Sequence, residues 1–337
     1  MPVQSQSQEI SIDRQKTTGH QGGAPSASVR EIIQGLSQQT KILPSKLFYD
    51  EKGSQLFDSI CEQPEYYPTR VELQIMNSHA DEMVTWFGEQ CLLVEYGSGS
   101  GLKTRSLLDR LPRAAGYVAI DISEEHLKRA ASATAHAYPE IPVYPIAADF
   151  TKPLRLTRKQ KDSAKRVVGY FPGSTIGNFE PLEAEAFLRS IRQTCGAGSG
   201  LLIGVDLRKD PQILHAAYND AAGITADFNL NLLSHVNREA GADFDPESFW
   251  HYAFYNAPKS RIEMHLVTRY AQTVTIDGMH RIRLEEGESI RTENSYKYTV
   301  QSFQQLAEKA GYRPEAVWTD ERQYFSVHFM ASNEERE

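Results

Sequence analysis

From Cys91 the chain alternates short, continuously apolar runs with stretches of mixed polarity. The runs are CLLVEYGSG, GYVAIDIS, VYPIAADF, RVVGYFPGSTIGN and GLLIGVDL. Between them, residues 103–111, 124–136 and 183–195 carry apolar side chains at helical spacing, so the pattern predicts strands alternating with helices. Strands that are apolar throughout, rather than at every second position, suit a parallel sheet buried on both faces. The fold class expected is therefore α/β, a doubly wound, mostly parallel sheet. After Leu207 the rhythm breaks. Residues 210–254 read as helical, RIEMHLVTRYAQTVTI and HRIRLEEGESIRTENSYKYT as antiparallel strands, and EAVWTDERQYFSVHFMAS as a terminal hairpin turning at 319–322. That hairpin brings the sheet to seven strands.

The part before Cys91 is different again. Residues 1–28 are rich in Gln, Ser, Gly and Thr and nearly devoid of large apolar side chains, which predicts a flexible tail. A helix is expected over 29–36 with Ser28 as its N-cap. The aromatic segment 45–76 should hold two short helices, 54–61 and 69–79, hinged by Pro64 and Pro68. The organisation expected is a tail (1–28), a second, α+β lobe that binds substrate (29–72 and 209–297), and the sheet domain that binds a cofactor (73–208 and 298–337).

Charge and composition narrow the function classes. The net charge is -8 and no dense Lys/Arg block occurs, which disfavours nucleic acid and an anionic membrane as partners. No run approaches membrane-spanning length, and the N-terminus has no apolar secretory core. Three widely spaced cysteines suit a reducing compartment, so a cytoplasmic protein is expected. The histidines show no paired metal-ligand spacing, and no metal is expected.

The strongest local chemistry is Glu95-Tyr96-Gly97-Ser98-Gly99-Ser100-Gly101, at the end of the first apolar strand. Glycines let the backbone turn tightly and approach a ligand, and ligands bind at this edge of an open α/β sheet. A dinucleotide site would place its third glycine one residue later; here Lys103 and Thr104 follow instead. Glu95, ahead of the turn, suits a cationic sulfonium better than a pyrophosphate. The second strand ends in Asp121, placed for ribose hydroxyls, and the third in Asp149-Phe150, placed for an adenine amino group and ring. Any one of these acids could be a turn or capping residue. Together they predict S-adenosylmethionine, with S-adenosylhomocysteine as product, held by Glu95, Gly97, Ser98, Gly99, Lys103, Asp121, Asp149 and Phe150.

Longer motifs carry a closer resemblance. FYDEKGSQLFDSICEQPEYYPTR, EYGSGSGLKTRSLLDRL, YVAIDISEEHLKRAA, FPGSTIGNFEP, GVDLRKDPQILHAAYND and ADFNLNLLSHVNRE resemble the histidine-specific Nα-methyltransferases of ergothioneine biosynthesis, over residues 41–330. The resemblance implies transfer of three methyl groups to the α-amino group of L-histidine, giving hercynine, without a metal. It also implies roles for particular residues. Tyr66 and Tyr218 would hold the substrate carboxylate, Asn178 the α-amino group, and Tyr49 would stand near that group. Glu293 and Ser295 would read the imidazole nitrogens, and Met264 would line the ring pocket. Pattern alone favours blander readings: packing for Tyr66 among its prolines and for Met264 on its strand, a turn for Asn178, a solvated acidic face for Glu293 beside Glu285, Glu286 and Glu288. An N-methyltransferase for another aromatic amino acid, such as a tryptophan derivative, is the alternative. Either is expected to act on a small molecule and to work as a monomer.

Overall fold

The computed structural model describes residues 13–14, 26–99, 101–111 and 113–333. The first elements are strand β1 (Asp13–Arg14), helix α1 (Ala27–Leu36), β2 (Lys41–Ile42), α2 (Glu51–Glu62) and α3 (Tyr67–Thr85). The alternating segment gives β3 (Cys91–Tyr96), α4 (Leu102–Leu108), β4 (Gly116–Asp121), α5 (Glu124–Ala137), β5 (Val143–Ala147), α6 (Arg158–Lys161), β6 (Arg166–Phe171), α7 (Pro181–Cys195) and β7 (Gly200–Asp206). Then come α8 (Pro211–Tyr218), α9 (Ile224–Ala240), β8 (Phe249–Asn256), β9 (Arg261–Thr268), β10 (Gln272–Ile276), β11 (His280–Leu284) and β12 (Ser289–Tyr296). The chain closes with α10 (Val300–Lys309), β13 (Tyr312–Thr319) and β14 (Phe325–Ser332).

The main sheet runs β1-β5-β4-β3-β6-β7-β14-β13. Its central strands pair in parallel, and only the hairpin β13–β14 is antiparallel, β14 lying against β7. The seven long strands are those expected, in an order that reverses direction beside β3, so the carboxyl ends of β3, β4, β5 and β6 open a crevice there. Every residue of β3 and of β7 is buried, as sandwiched parallel strands require. Two apolar clusters cover the two faces, one with Val94, Ile120 and Phe171, the other with Leu93, Tyr170 and Phe329.

A second, four-stranded sheet, β2-β12-β9-β8, packs with α1, α2, α8 and α9 around a third cluster that includes Phe48, Phe228, Leu232 and Leu266. Several expectations change here. Helix α1 is capped by Ser26, whose hydroxyl accepts from the Val29 N–H, not by Ser28. Pro68 lies in the first turn of α3, where a missing N–H costs nothing, so it starts a helix rather than hinging two. Residues 249–254 are strand, not helix: Phe249 and Ala253 of β8 face inward while Trp250 and Tyr252 are exposed, a two-residue period. Helix α10 was not expected. Of the tail, Asp13–Arg14 pairs in parallel with Ile146–Ala147; the rest of 1–25 lies outside the described residues. No described helix is long and apolar enough to cross a membrane.

Candidate active site

A cleft of about 1210 Å³ lies at the carboxyl ends of β3, β4 and β5 and reaches β12. Its floor is the glycine turn, where Gly97, Gly99 and Gly101 take φ of 75, 47 and 70°, the left-handed region that glycine enters without strain. A Cβ on Gly97 would stand 3.6 Å from the Phe150 ring, so the turn keeps the backbone close to that ring. The Ser98 hydroxyl is buried in the turn with no hydrogen-bond partner among the described residues. All eight residues expected to hold a cofactor, Glu95, Gly97, Ser98, Gly99, Lys103, Asp121, Asp149 and Phe150, line this one cleft. An orphaned donor, a bare backbone turn and an aromatic wall fit a nucleoside with a polar tail.

The strand-end acids are already bonded to the chain. Glu95 accepts from Thr104 at 2.6 Å and from the Tyr117 hydroxyl; burial pushes its carboxyl up to about 8, with those two hydroxyls and Lys103 opposing. Asp121 accepts from the Gly99 N–H at 3.1 Å and the Ser123 N–H at 3.0 Å, tying the turn to the start of α5. Asp149 is held by Thr151 and lies 3.4 Å from the Lys46 ammonium. Burial alone would raise its carboxyl; Thr151 and Lys46 together keep it below the usual range. Lys103 pairs with Glu72, a fully buried acid of α3 that also accepts the Gly173 N–H at 2.9 Å. Glu72 thus links the glycine turn to the loop after β6, and sequence reading missed it: one acid inside an ordinary helical pattern gives no signal.

Beside the cleft lies a smaller pocket of about 50 Å³. Tyr49, Tyr66, Asn178, Tyr218, Met264, Glu293 and Ser295 all line it, although they come from six segments of the chain. Tyr49, Tyr66, Asn178 and Glu293 line the large cleft as well, so the two spaces adjoin. Local geometry explains the convergence. Asn178 ends a 3-10 turn, Thr175–Asn178, that lies on β12; a Cβ on Gly177 would meet the Tyr296 carbonyl at 2.8 Å, so only glycine permits that approach. In β12 the pairing with β9 slips between Arg291 and Glu293, and Glu293 comes opposite Met264. Such a bulge re-aims the side chains beyond it.

The polar groups of the pocket divide sharply. Tyr218 donates to the Ser295 hydroxyl at 2.8 Å, and Lys297, itself buried, donates to Ser295 at 2.9 Å and to Tyr218 at 3.0 Å. Lys297 also pairs with buried Asp206 at 2.7 Å, and Asp206 accepts from Tyr67 at 2.7 Å and from Lys209 at 2.5 Å. Burial would raise the Asp206 carboxyl, but the two ammonium groups hold it below the usual range. By contrast, the hydroxyls of Tyr49 and Tyr66, the Asn178 amide and the Glu293 carboxylate make no hydrogen bond among the described residues. Burial pushes Glu293 up to about 7, with Lys297 opposing. Glu293 is half-buried on the pocket wall and not part of a solvated acidic face.

A family model described as histidine-specific methyltransferase, S-adenosylmethionine-dependent, matches residues 28–332. The chain belongs to the histidine-specific methyltransferases. It is 40% identical over 301 residues to a histidine N-alpha-methyltransferase of Mycolicibacterium smegmatis, covering 88% of this chain and 92% of that one. A protein of the same description from Mycobacterium tuberculosis is 37% identical, over 90% and 94%. Ergothioneine biosynthesis protein 1 of Neurospora crassa is 29% identical over 86% of this chain and 33% of its own length. In this methyltransferase, sequence reading named seven residues of the pocket wall but not Lys297 and Asp206, which line it too. A lysine two residues beyond Ser295 was the one available hint: strand alternation puts it on the face of Glu293 and Ser295, but nothing in the sequence names Asp206 as its partner.

Proposed function

We propose that the enzyme transfers three methyl groups in succession from S-adenosylmethionine to the α-amino group of L-histidine, yielding hercynine. The observation that carries this reading is the Glu293 carboxylate, without a hydrogen-bond partner among the described residues where the pocket meets the cleft, with the Ser295 hydroxyl two residues away on the same strand. Glu293 would accept the ring N–H and Ser295 would meet the other ring nitrogen, while Met264 packs on the ring. Tyr66, whose hydroxyl has no partner among the described residues, would take the substrate carboxylate; Tyr218 stacks edge-on against it at 6.4 Å, but its hydroxyl is turned to Ser295. Asn178 and Tyr49, lining both spaces, would hold the amine toward the cleft. In this division residues 29–72 and 209–297 hold the amino acid, and 73–208 with 298–337 hold the cofactor, Asn178 reaching across.

The sulfonium cofactor brings an activated methyl group and leaves as a neutral thioether. What the chain must then supply is alignment of a neutral amine, and fixing two reactants in line can provide much of the rate. No histidine among the described residues lines the pocket, and Glu293, the nearby carboxylate, is committed to the ring in this reading, so Asn178 and Tyr49 act by positioning. Incubation with labelled cofactor and a panel of L-amino acids tests the reading. A histidine product heavier by three methylene units is expected; methylation of tryptophan in its place, or of no amino acid, overturns it.

A further inference from the structure

At the pocket wall two ammonium groups serve one carboxylate, and of the three Lys297 and Asp206 line the pocket itself. Asp206, at the end of β7, faces Lys209 and Lys297 as well as the Tyr67 hydroxyl of α3, and the Lys209 ammonium also lies 2.7 Å from that hydroxyl. Lys209 and Tyr67 also bond Asp206, so its carboxylate does not depend on Lys297 alone for hydrogen bonds. Lys297 therefore does something more, and its remaining two N–H groups show what. One goes to the Tyr218 oxygen and one to the Ser295 oxygen.

A serine oxygen accepts two hydrogen bonds and donates one. Tyr218 and Lys297 fill both acceptor sites of Ser295. A phenol is a stronger acid than an alcohol, so in the bond between the two hydroxyls Tyr218 is the natural donor. The proton of Ser295 is then the one thing it has left to offer, and the pocket is where that proton can go. Glu293, two residues earlier, offers only acceptors when ionised. Resting on the histidine reading above, we propose that Lys297 is a specificity-determining positioning residue: it fixes Ser295 as a donor, so that the pocket takes a neutral imidazole in a single tautomer. A ring carrying protons on both nitrogens would bring an N–H against the Ser295 proton and leave it unpaired. The charged and titratable groups facing this corner are Asp206, Lys209, Tyr67, Tyr218, Glu293, Tyr49 and Tyr66.

The test is a double-mutant cycle between Lys297→Met and Ser295→Ala. Methionine keeps an apolar stem of similar length, and Asp206 retains Lys209 and Tyr67, so no buried charge is stranded. Lys297→Met should lower kcat/KM for L-histidine by about 10- to 100-fold, mainly through KM, the range for losing hydrogen bonds from a charged donor. In the Ser295→Ala background the same change should cost no more than about twofold, because the group it acts through is gone. Independent, additive losses would overturn the proposal while leaving histidine methylation standing. A wild-type enzyme that fails to methylate histidine at all would remove both. Should Lys297→Met not fold, wild-type calorimetry with Nα,Nα,Nα-trimethyl-L-histidine, whose quaternary nitrogen cannot titrate, gives a second reading. At about pH 8, in buffers of different ionisation heat, the ring should take up no proton on binding; because burial lowers the neighbouring Lys209 ammonium to about 8, the measurement is repeated on Lys209→Met, and uptake approaching one proton that persists there would mean a charged ring and would overturn the proposal.

Discussion

At the strand ends, Glu95, Asp121 and Asp149 each spend their oxygens on the chain itself, on Thr104 and Tyr117, on Gly99 and Ser123, on Thr151. In the ring pocket, Glu293 spends nothing among the described residues. The two kinds of carboxylate sit on adjoining walls of one site, yet they answer to different demands. A strand-end acid shapes the turn itself, so any part it takes in binding cannot be separated from its structural one. Glu293 lacks a partner at a cost to the ligand-free fold, since a partly desolvated carboxylate with no hydrogen-bond donor is destabilising. The largest test of this contrast is Glu293→Ala. A site whose polar groups are committed to one partner rejects substrates that leave them unpaired, so kcat/KM for histidine should fall by about 10³-fold or more, with far smaller change for any residual action on tryptophan or phenylalanine. Equal losses on all three would erase the distinction between the two regions.

Asp121→Ala probes the other side. Two backbone N–H groups lose their acceptor along with any ribose contact, and affinity for S-adenosylmethionine should drop by about 10- to 100-fold. Titration calorimetry measures it, and melting of the ligand-free variant should fall as well. An unchanged melting temperature with weakened binding would show that Asp121 serves the ligand alone, contrary to the geometry.

The same contrast explains what is legible in the sequence. The strand ends were legible because a parallel sheet places them: once apolar runs identify β3, β4 and β5, the residue after each run must lie on the ligand edge. Nothing comparable places Glu293. Its wall is built from β12, a bulge, a 3-10 turn lying on it through Gly177, and helices far off in sequence, so only long motifs shared with a family could mark it. Lys297 and Asp206 escaped even that. Their pairing depends on β7 and the end of β12 meeting, which the local pattern of neither segment encodes. Strand β8 was misread for a related reason: its exposed edge face carries Trp250 and Tyr252, so the alternation that marks a half-buried strand was hidden by aromatics on both sides.

A smaller effect separates the two regions by pH. Glu293 ionises near 7 in the fold against an ordinary value of 4.5, because burial penalises its charge. A carboxyl raised in this way contributes stability that is complete below the unfolded value and is lost as pH rises through the folded one. The ligand-free enzyme should therefore lose stability between roughly pH 4.5 and 7 from this group, and Glu293→Gln should recover about 1–2 kcal/mol at pH 8, after allowance for the half-buried site, and little at pH 4. Histidine binding runs the other way, strengthening as Glu293 ionises. Denaturant midpoints of the two proteins at both pH values supply the check; a glutamine variant that gains nothing at high pH would mean that Glu293 is partnered after all.

The smallest expected effect falls where the two regions meet. Tyr49 caps the 3-10 turn Ser45–Phe48, packs edge-on against Phe57 at 5.8 Å and Phe228 at 5.9 Å, and lines both the cleft and the pocket. Burial, then the nearby Glu293 charge, push its hydroxyl well above its ordinary range, so it cannot serve as a phenolate base near neutrality. It can orient an amine by a single neutral hydrogen bond, worth about 0.5–1.5 kcal/mol, and Tyr49→Phe removes that bond while keeping both ring contacts. The kcat/KM for histidine should fall no more than about tenfold, through KM with kcat little changed, as befits a contact made in the ground state and kept in the transition state. Abolished turnover at unchanged histidine affinity would instead give Tyr49 the proton from the ammonium. The boundary between cleft and pocket would then be a site of proton transfer, not one of alignment alone.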